Sequence, residues 1–210
     1  MDSPIHGITI RPFKPQDRAA LRTICYETSF LGHPRFFCDN QEIVADVLSI
    51  YFTDYEPESC FVADDGKMVI GYVMGTKNAR QMHKIFLRRI FPGLILKSLC
   101  LGVFCRVKTW QFLFNGSLSF LKGEFWMPPV RKRYRALVHI NIDKDFRRHG
   151  IGHLLVEHYL RYLKEHKIPG VFISTMSEQG KVFFVKQGFQ VLFKGKKTFL
   201  RYRLGEDAPQ

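Results

Sequence analysis

The sequence predicts one mixed α/β domain in which helices flank a central sheet, and three observations indicate it. The chain has 210 residues, 46% of them hydrophobic, which suffices for one sizeable core. Segments with the period-two alternation of strands are interspersed with segments of helical periodicity. Between residues 136 and 166, a strand pattern, a basic turn with two glycines and a helical pattern follow one another. We therefore expect residues 1–210 to form a single domain.

The first half of the chain predicts a strand, two helices and a hairpin. Pro12 stops an alternating strand, and Pro15 with Asp17 is typical of the first turn of a helix. An acidic turn that ends at Gly66 separates two apolar strands, which is typical of a hairpin. The predicted elements are a strand over 6–11, helices over 17–30 and 40–52, and hairpin strands over 58–63 and 68–74.

The second half predicts alternating strands and helices that end in another hairpin. Gly152 opens a run with apolar residues at helical spacing, and Gly188 ends a shorter helical run. The predicted elements are strands over 136–142 and 171–175, helices over 152–166 and 178–186, and hairpin strands over 189–193 and 198–204. The element order is therefore that of a mixed sheet with a long interruption before its fourth strand.

The basic turn at 147–152 is suited to binding an anion. Its sequence, Arg-Arg-His-Gly-Ile-Gly, leads into a predicted helix, whose first backbone N–H groups and positive dipole end are unpaired. The glycines let a bulky anion approach the backbone, and Arg147 and Arg148 add positive charge. The sequence therefore predicts a pyrophosphate site. A turn in which the glycines served only chain reversal would need no arginine pair.

Cysteine and histidine usage indicates neither a disulfide framework nor a metal site. The five cysteines are odd in number, form no Cys-x-x-Cys pair and follow no signal peptide, so we expect reduced thiols in the cytoplasm. His149 and His153 stand four residues apart, but no third ligand accompanies them. We therefore expect no metal.

Two sequence blocks resemble the GNAT superfamily of acyl-CoA-dependent N-acetyltransferases. Arg147, Gly150 and Gly152 match the family's Arg/Gln-x-x-Gly-x-Gly/Ala signature after its fourth strand. Residues 177–189 are similar to the family's second block, and residues 10–17 to its first strand and helix start. The resemblance covers about residues 6–79 and 134–204. It implies a mixed, mostly antiparallel sheet flanked by helices, with a long helical insertion before the fourth strand.

The resemblance also implies where acetyl-CoA lies. The cofactor would occupy a V between the strands at 136–142 and 171–175, with its pantetheine beside the backbone of Ile140 and Ile142. Its pyrophosphate would take the N–H groups of residues 148–152. The implied cofactor-binding residues are Ile140, Asn141, Ile142, Arg147, Arg148, His149, Gly150, Ile151, Gly152 and Ser177.

At the position of the acid that protonates the thiolate leaving group, this chain differs from the family pattern. The family's second block has a tyrosine in this role, and this chain has Phe184, which has no proton to donate. Water, the hydroxyl of Ser177 or a tyrosine elsewhere could substitute. Ser177 itself stands where the family has asparagine, and a hydroxyl still forms hydrogen bonds.

Two residues are candidates for the base that takes the proton from the acceptor amine. His139 lies mid-strand near the expected thioester, but alternation separates it and Asn141 from the face of Ile140 and Ile142. If that second face lines the cleft, His139 is a structural histidine. Glu58 precedes a strand that borders the acceptor site in this fold, and it could act through water or bind an ammonium group. It could equally belong to a solvated acidic loop.

Residues 80–133 are far longer than the short connection that the family needs at this point. From Arg80 to Arg135 there are 12 Lys and Arg, one acid and ten aromatic residues, a net charge of +11 out of +13 for the whole chain. Three interpretations follow in order of preference: a lid over the acceptor cleft, an interfacial element on an anionic membrane, and a nucleic-acid surface. The excess of Leu, Ile and Phe argues against nucleic acid. The same residues could form an oligomer contact.

The expected function is transfer of an acetyl group from acetyl-CoA to a primary amine, on a small molecule or a protein, within a ternary complex. Two alternatives from other classes remain. One is a CoA-binding scaffold without catalysis, suggested by Phe184. The other is a peripheral membrane module that acts through residues 80–133. The run 91–105 contains Lys97 and is shorter than the roughly 20 residues of a spanning helix.

Overall fold

The computed structural model describes residues 7–29, 40–107, 109–111, 114, 134–194 and 198–204. They contain seven strands and six α-helices. The strands are β1 (Thr9–Pro12), β2 (Cys60–Asp64), β3 (Val69–Thr76), β4 (Ala136–Ile142), β5 (Gly170–Thr175), β6 (Gln190–Lys194) and β7 (Thr198–Arg203). The helices are α1 (Arg18–Thr28), α2 (Gln41–Ile50), α3 (Ala79–Ile85), α4 (Phe91–Cys100), α5 (Ile151–Glu165) and α6 (Glu178–Lys186).

The strands form one sheet in the order β1-β2-β3-β4-β5-β7-β6. All its neighbouring strands run antiparallel except β4 and β5, which run parallel. The predicted mixed, mostly antiparallel sheet with flanking helices is therefore confirmed. The parallel pair requires a crossover, and α5 supplies it between the two strands.

Alternation along the strands divides the side chains between two layers. Ala136 and Val138 of β4 pack in the core beneath α5, together with Val171 and Ile173 of β5. Leu137 packs instead against the layer on the opposite face. We call the face beneath α5 and α6 the α5 face, and the opposite one the α1 face.

Tyr159 anchors α5 to the sheet at the start of β4. Its side chain is fully buried, and its hydroxyl donates to the backbone carbonyl of Leu137 at 3.1 Å. Gly75 of β3 leaves the space for it, because a Cβ at this position would lie 2.0 Å from the tyrosine hydroxyl. A side chain at position 75 would therefore push α5 away from the sheet.

The layer on the α1 face contains α1, α2 and α4, joined by apolar contacts and by charge. Leu21 of α1 and Leu94 of α4 belong to one buried cluster. Asp46 of α2, whose side chain is 7% exposed, pairs with Arg22 of α1 and with Lys97 of α4, the latter at 2.7 Å. The insertion thus packs on the domain through its first two helices.

Several element bounds differ from the predicted ones for local reasons. β2 begins at Cys60 because Pro57–Ser59 form a 3₁₀ turn. Helix α2 passes into a π-helical turn at Tyr51–Tyr55, and α3 and α4 are joined by another at Phe86–Ile90. Residue 6 of the first predicted strand lies outside the described residues. Residues 195–197 of the closing hairpin's turn and residues 115–133 of the insertion also lie outside them.

Candidate active site

The sheet opens between β4 and β5. Their parallel ladder has only two residue pairs, the second of which joins Leu137 to Phe172. Yet β4 stays paired with β3 as far as Ile142, and β5 with β7 as far as Thr175. Because both strands continue in other pairings, they must diverge beyond the ladder. Over residues 138–142, the edge of β4 that faces the gap has no strand partner among the described residues.

The turn that leads from β4 into α5 has two residues in the left-handed region, Arg148 with φ 67° and Gly150 with φ 76°. Arg147 is tied to the end of β4, since its Nε donates to the carbonyl of Ile142 at 3.2 Å. The N–H of His153 already donates to the carbonyl of Gly150, at 3.0 Å. The N–H groups that precede His153 therefore lie before the first intrahelical donor, at the position where an anion can bind them.

The two glycines of this turn have different roles. Gly150 provides the positive φ that begins the helix. Gly152 serves packing, because a Cβ there would lie 3.0 Å from Phe183 of α6 and 3.2 Å from Ile142 of β4. The small size of Gly152 thus lets α5 lie against α6, and the interpretation that both glycines admit an anion to the backbone stays a prediction.

His139 and Asn141 lie on the α1 face, and Ile140 and Ile142 pack towards the α5 face. Asn141 donates through Nδ2 to the hydroxyl of Tyr72 at 2.7 Å and to Nε2 of His139 at 3.1 Å. Desolvation by burial lowers the pKa of His139 to about 4. The imidazole is therefore neutral at physiological pH, and its ring is held by a hydrogen-bonded network.

Glu58 lies away from this network. Its side chain is 53% exposed and pairs with Nζ of Lys77 at 2.9 Å. Partial burial is the largest single influence and opposes ionisation of Glu58, but the hydrogen bond and charge of Lys77 and a backbone N–H together outweigh it and leave the pKa below the ordinary value. His166, at the C-terminal end of α5, also acts on this carboxylate. The structure thus does not bring Glu58 together with His139 or the glycine turn.

The acid buried in this region is Glu56, which the sequence reasoning missed. Its carboxylate accepts four hydrogen bonds, from Tyr51, Ser59, Thr76 and the backbone N–H of Lys77, at 2.6 to 3.0 Å. These hydrogen bonds join the segment before β2 to the end of β3. The three acids within residues 54–58 give no signal of which one is buried.

Ser177 caps α6 just beyond the end of β5. Its Oγ accepts from the N–H of Gly180 at 2.9 Å and lies 3.5 Å from Oγ1 of Thr175. A capping oxygen keeps its own O–H as a donor. The sequence predicted Ser177 as a binding and catalytic candidate, and its position beside β5 is compatible with either role.

Phe184 lies in the core beneath the sheet. It is 4% exposed and packs edge-on against Phe183 and Phe189, with ring centroids 5.0 and 5.2 Å away. It has no polar atom to offer the cleft. Within residues 177–189, the hydroxyl of Ser177 is therefore the polar side-chain group that lies next to β5.

Arg201 of β7 is a second residue that the sequence reasoning missed. It lies opposite Phe172 of β5, and thus on the same row and the same face as Leu137. Its guanidinium stacks over the ring of Tyr134, 5.3 Å from the centroid. Its Nε is buried without a hydrogen-bond partner in the described part of the chain. The only sequence signal is a cation at an alternating position in a strand.

Comparison with known proteins gives one family and many similar folds. The model of the Acetyltransferase (GNAT) family matches residues 114–189. This segment includes β4, the glycine turn, β5 and α6. None of the curated proteins matches the chain.

Solved structures show the same fold over almost the whole chain. SsHAT has a TM-score of 0.75 and 24% identity, covering 95% of this chain and 100% of its own. YncA from Salmonella typhimurium, a putative acetyltransferase solved with its cofactor acetyl-CoA, has a TM-score of 0.57 and 14% identity, covering 97% and 98%. The PaiA N-acetyltransferase from Thermoplasma acidophilum, in complex with coenzyme A, has a TM-score of 0.53 and 12% identity, covering 93% and 98%.

The opening between β4 and β5 and the glycine turn both lie within the segment that the Acetyltransferase (GNAT) family model matches. The chain is therefore similar to the GNAT acetyltransferase family in sequence over residues 114–189, and it is similar in fold to the solved structures over almost its whole length. Among the described residues, no group of three or more His, Cys, Asp or Glu is arranged to hold a metal ion. None of the described helices is both long and apolar enough to span a membrane.

Proposed function

We propose that this chain transfers an acetyl group from acetyl-CoA to a primary amine, directly and within a ternary complex. The observation that carries the proposal is the gap between β4 and β5, which begins beyond their two-pair ladder, together with the left-handed turn that follows β4. The unpaired edge of Ile140 and Ile142 would bind the pantetheine. The N–H groups of residues 148–152 would bind the pyrophosphate, with the exposed Arg147, Arg148 and His149 around it.

Transfer requires a C–N bond to form at the thioester carbonyl and the C–S bond to break. The amine must lose one proton, and the thiolate must gain one. We assign the first step to His139, which lies on the α1 face at the level where β4 and β5 diverge. Its pKa of about 4 keeps the lone pair free of a proton. The amine N–H becomes more acidic as the C–N bond forms, so a weak base can then take its proton.

This role requires the incoming amine to replace a hydrogen bond, because Nε2 of His139 accepts from Asn141. For the second step we propose that the Ser177 hydroxyl or water protonates the thiolate. Ser177 would also bind the pantetheine from the β5 side. Glu58 is the weaker base candidate, because its carboxylate is engaged by Lys77.

We further propose that the acceptor has an anionic group, such as a carboxylate or phosphate. Arg201 supports this, because its guanidinium is half-buried and pairs with no carboxylate among the described residues. It lies two strands from β4, about 10 Å across the sheet at ordinary strand spacing, on the face that bears His139 and level with Leu137, two residues before His139. An extended acceptor would span the two groups.

The cofactor site is tested with Gly150→Asp, which places a carboxylate where the pyrophosphate would bind. We expect calorimetric titration to show at least a 100-fold loss of acetyl-CoA affinity. Gly102→Asp is the matched control, because Gly102 also has a positive φ of 62° with open space around it. It should leave the affinity unchanged. Equal affinity of both variants would contradict the assigned site, and acetyl-CoA binding without turnover on an amine panel would favour the scaffold.

The acceptor proposal is tested with Arg201→Gln. We expect KM for amines that carry a carboxylate to rise about tenfold or more, and KM for their uncharged analogues to stay constant, because only the former lose an ion pair. Arg203→Gln is the control, since Arg203 is exposed two residues further along the same strand face. If both amine classes respond equally to Arg201→Gln, the residue does not select anionic acceptors.

A further inference from the structure

The exposed face of α4 has no charged side chain. Its only ionisable residue apart from a thiol is Lys97, which turns towards the domain and pairs with Asp46 and Glu42. All the exposed residues of this helix are apolar or uncharged: Phe91, Pro92, Gly93, Ile95, Leu96, Leu99 and Cys100. An ordinary surface helix has the opposite arrangement, with its charges facing solvent.

The exposure of this face is large. Phe91 is 45% exposed, Leu96 64% and Leu99 58%, while Ile90 and Leu94 on the other side are buried in the domain. Within the described part of the chain, protein therefore covers only one side of α4, and the other side is an exposed apolar face. A contiguous exposed patch of this kind marks an interaction site.

Positive charge surrounds the patch. Lys84, Arg88 and Arg89 are exposed just before α4, and Arg106 is exposed just after it. No Asp or Glu occurs between residues 79 and 114. The surface therefore combines an uncharged apolar centre with a cationic margin.

Trp110, which follows α4 in the chain, is exposed in a form suited to an apolar environment. It is 60% exposed, yet its Nε1–H donates to the backbone carbonyl of Phe104 at 2.8 Å. The indole ring can therefore leave water without an unpaired N–H, which would cost free energy in hydrocarbon. Phe114 is also 66% exposed.

We propose that the exposed face of α4, with Trp110 and the cations from Lys84 to Arg89, docks on an anionic phospholipid bilayer. The helix would lie in the interface plane, with Leu96 and Leu99 entering the acyl region and the cations meeting the headgroups. This surface is separate from the proposed transferase site and does not depend on it.

Charge favours a bilayer over the other occupants. A second copy in a symmetric dimer would place the same cations against each other, with no Asp or Glu within residues 79–114 to pair with them. Nucleic acid would meet apolar side chains with no hydrogen-bonding group at the centre of the patch. An anionic bilayer matches both the apolar centre and the cationic margin.

The test is sedimentation with vesicles of phosphatidylcholine, with and without phosphatidylglycerol. We expect the protein to bind the anionic vesicles at least tenfold more tightly, and Leu96→Gln with Leu99→Gln to reduce that affinity at least tenfold. Val182→Gln with Val185→Gln is the matched control, since both valines are nearly half-exposed on α6. That pair should bind as the wild type does.

The cationic margin is tested in the same assay. Arg88→Gln with Arg89→Gln should weaken binding to anionic vesicles about tenfold at low salt, because each cation near the headgroups contributes to attachment. Lys164→Gln with Lys186→Gln removes as much exposed charge elsewhere and should have a much smaller effect. In a Trp126→Phe background, Trp110 is the single tryptophan, and its emission should shift to the blue on anionic vesicles.

Three outcomes would overturn the proposal. The first is no preference for anionic over neutral vesicles. The second is vesicle binding that survives the Leu96 and Leu99 replacements unchanged. The third is a concentration-dependent dimer in light scattering that these replacements abolish, which would assign the face to a second copy.

Discussion

A single side chain on the α1 face, His139, makes the stability of the folded chain depend on pH. His139 is half-buried and hydrogen-bonded through Nε2, so protonation would place a charge in a poorly solvated position. Its pKa falls from 6.5 to about 4 in the folded chain. The neutral ring is therefore the form compatible with the native network.

This pKa shift gives a prediction about stability. Between pH 6.5 and about 4 the unfolded chain takes up a proton at His139 and the folded chain does not, so stability is full above pH 6.5 and declines as pH falls to about 4. The shift corresponds to at most about 3 kcal/mol. His139→Gln should remove this part of the decline, measured by denaturant unfolding at pH 7 and pH 4. Parallel losses in wild type and variant would show that His139 does not titrate as described.

The hydrogen-bond partners of single side chains were not predictable from the sequence. His139 was identified because strand alternation places it beside Asn141, but its partner Tyr72 on β3 depends on strand register. Glu56 and Glu58 are both acids in one short segment, and only the tertiary contacts of Tyr51 and Thr76 select Glu56 for burial. Burial of a polar side chain is a property of its partners, which a single sequence does not display.

At the scale of elements, Asp46 ties α1, α2 and α4 together, and this contact gives a second prediction. Asp46→Asn would leave Arg22 and Lys97 without their shared, mostly buried carboxylate, so we expect a loss of about 2 kcal/mol in the free energy of unfolding. Glu42→Gln is the matched control. It contacts the same two cations but is 61% exposed, and it should cost less than about 0.5 kcal/mol. Equal losses would mean that burial does not set the strength of this contact.

Outside the insertion, the existence of the strands and helices was predictable, whereas several of their ends were not. Period-two alternation predicted β4 with its observed bounds, because the alternation continues until Asp143 caps the next turn. The 3₁₀ turn at Pro57–Ser59 shortened the predicted second strand, since its hydrogen bond to Pro57 is local and leaves no hydrophobic pattern. The apolar pattern around α4 left both a lid packed on the domain and an exposed interfacial element open, and the structure shows one side of α4 packed on the domain and the other exposed.

In the whole molecule, the uneven distribution of charge along the sequence corresponds to one region of the structure. The sequence placed a net +11 between Arg80 and Arg135, and the described part of that segment forms helices over the α1 layer. The proposed cofactor turn and Arg201 are also cationic, so anions would meet positive charge at both proposed sites. Association with anionic ligands should accordingly be sensitive to ionic strength.

The two-pair ladder between β4 and β5 has a mechanical consequence. Strands β1 to β4 and strands β5, β7 and β6 are each continuous antiparallel blocks, and only Ala136 with Val171 and Leu137 with Phe172 join them within the sheet. The sheet therefore consists of two antiparallel blocks joined by two residue pairs, with α5 packed across the junction. A cofactor whose amides pair with the free edge of β4 would take the place of a strand there. It would then restrict the movement of the two blocks relative to each other as well as deliver the acetyl group.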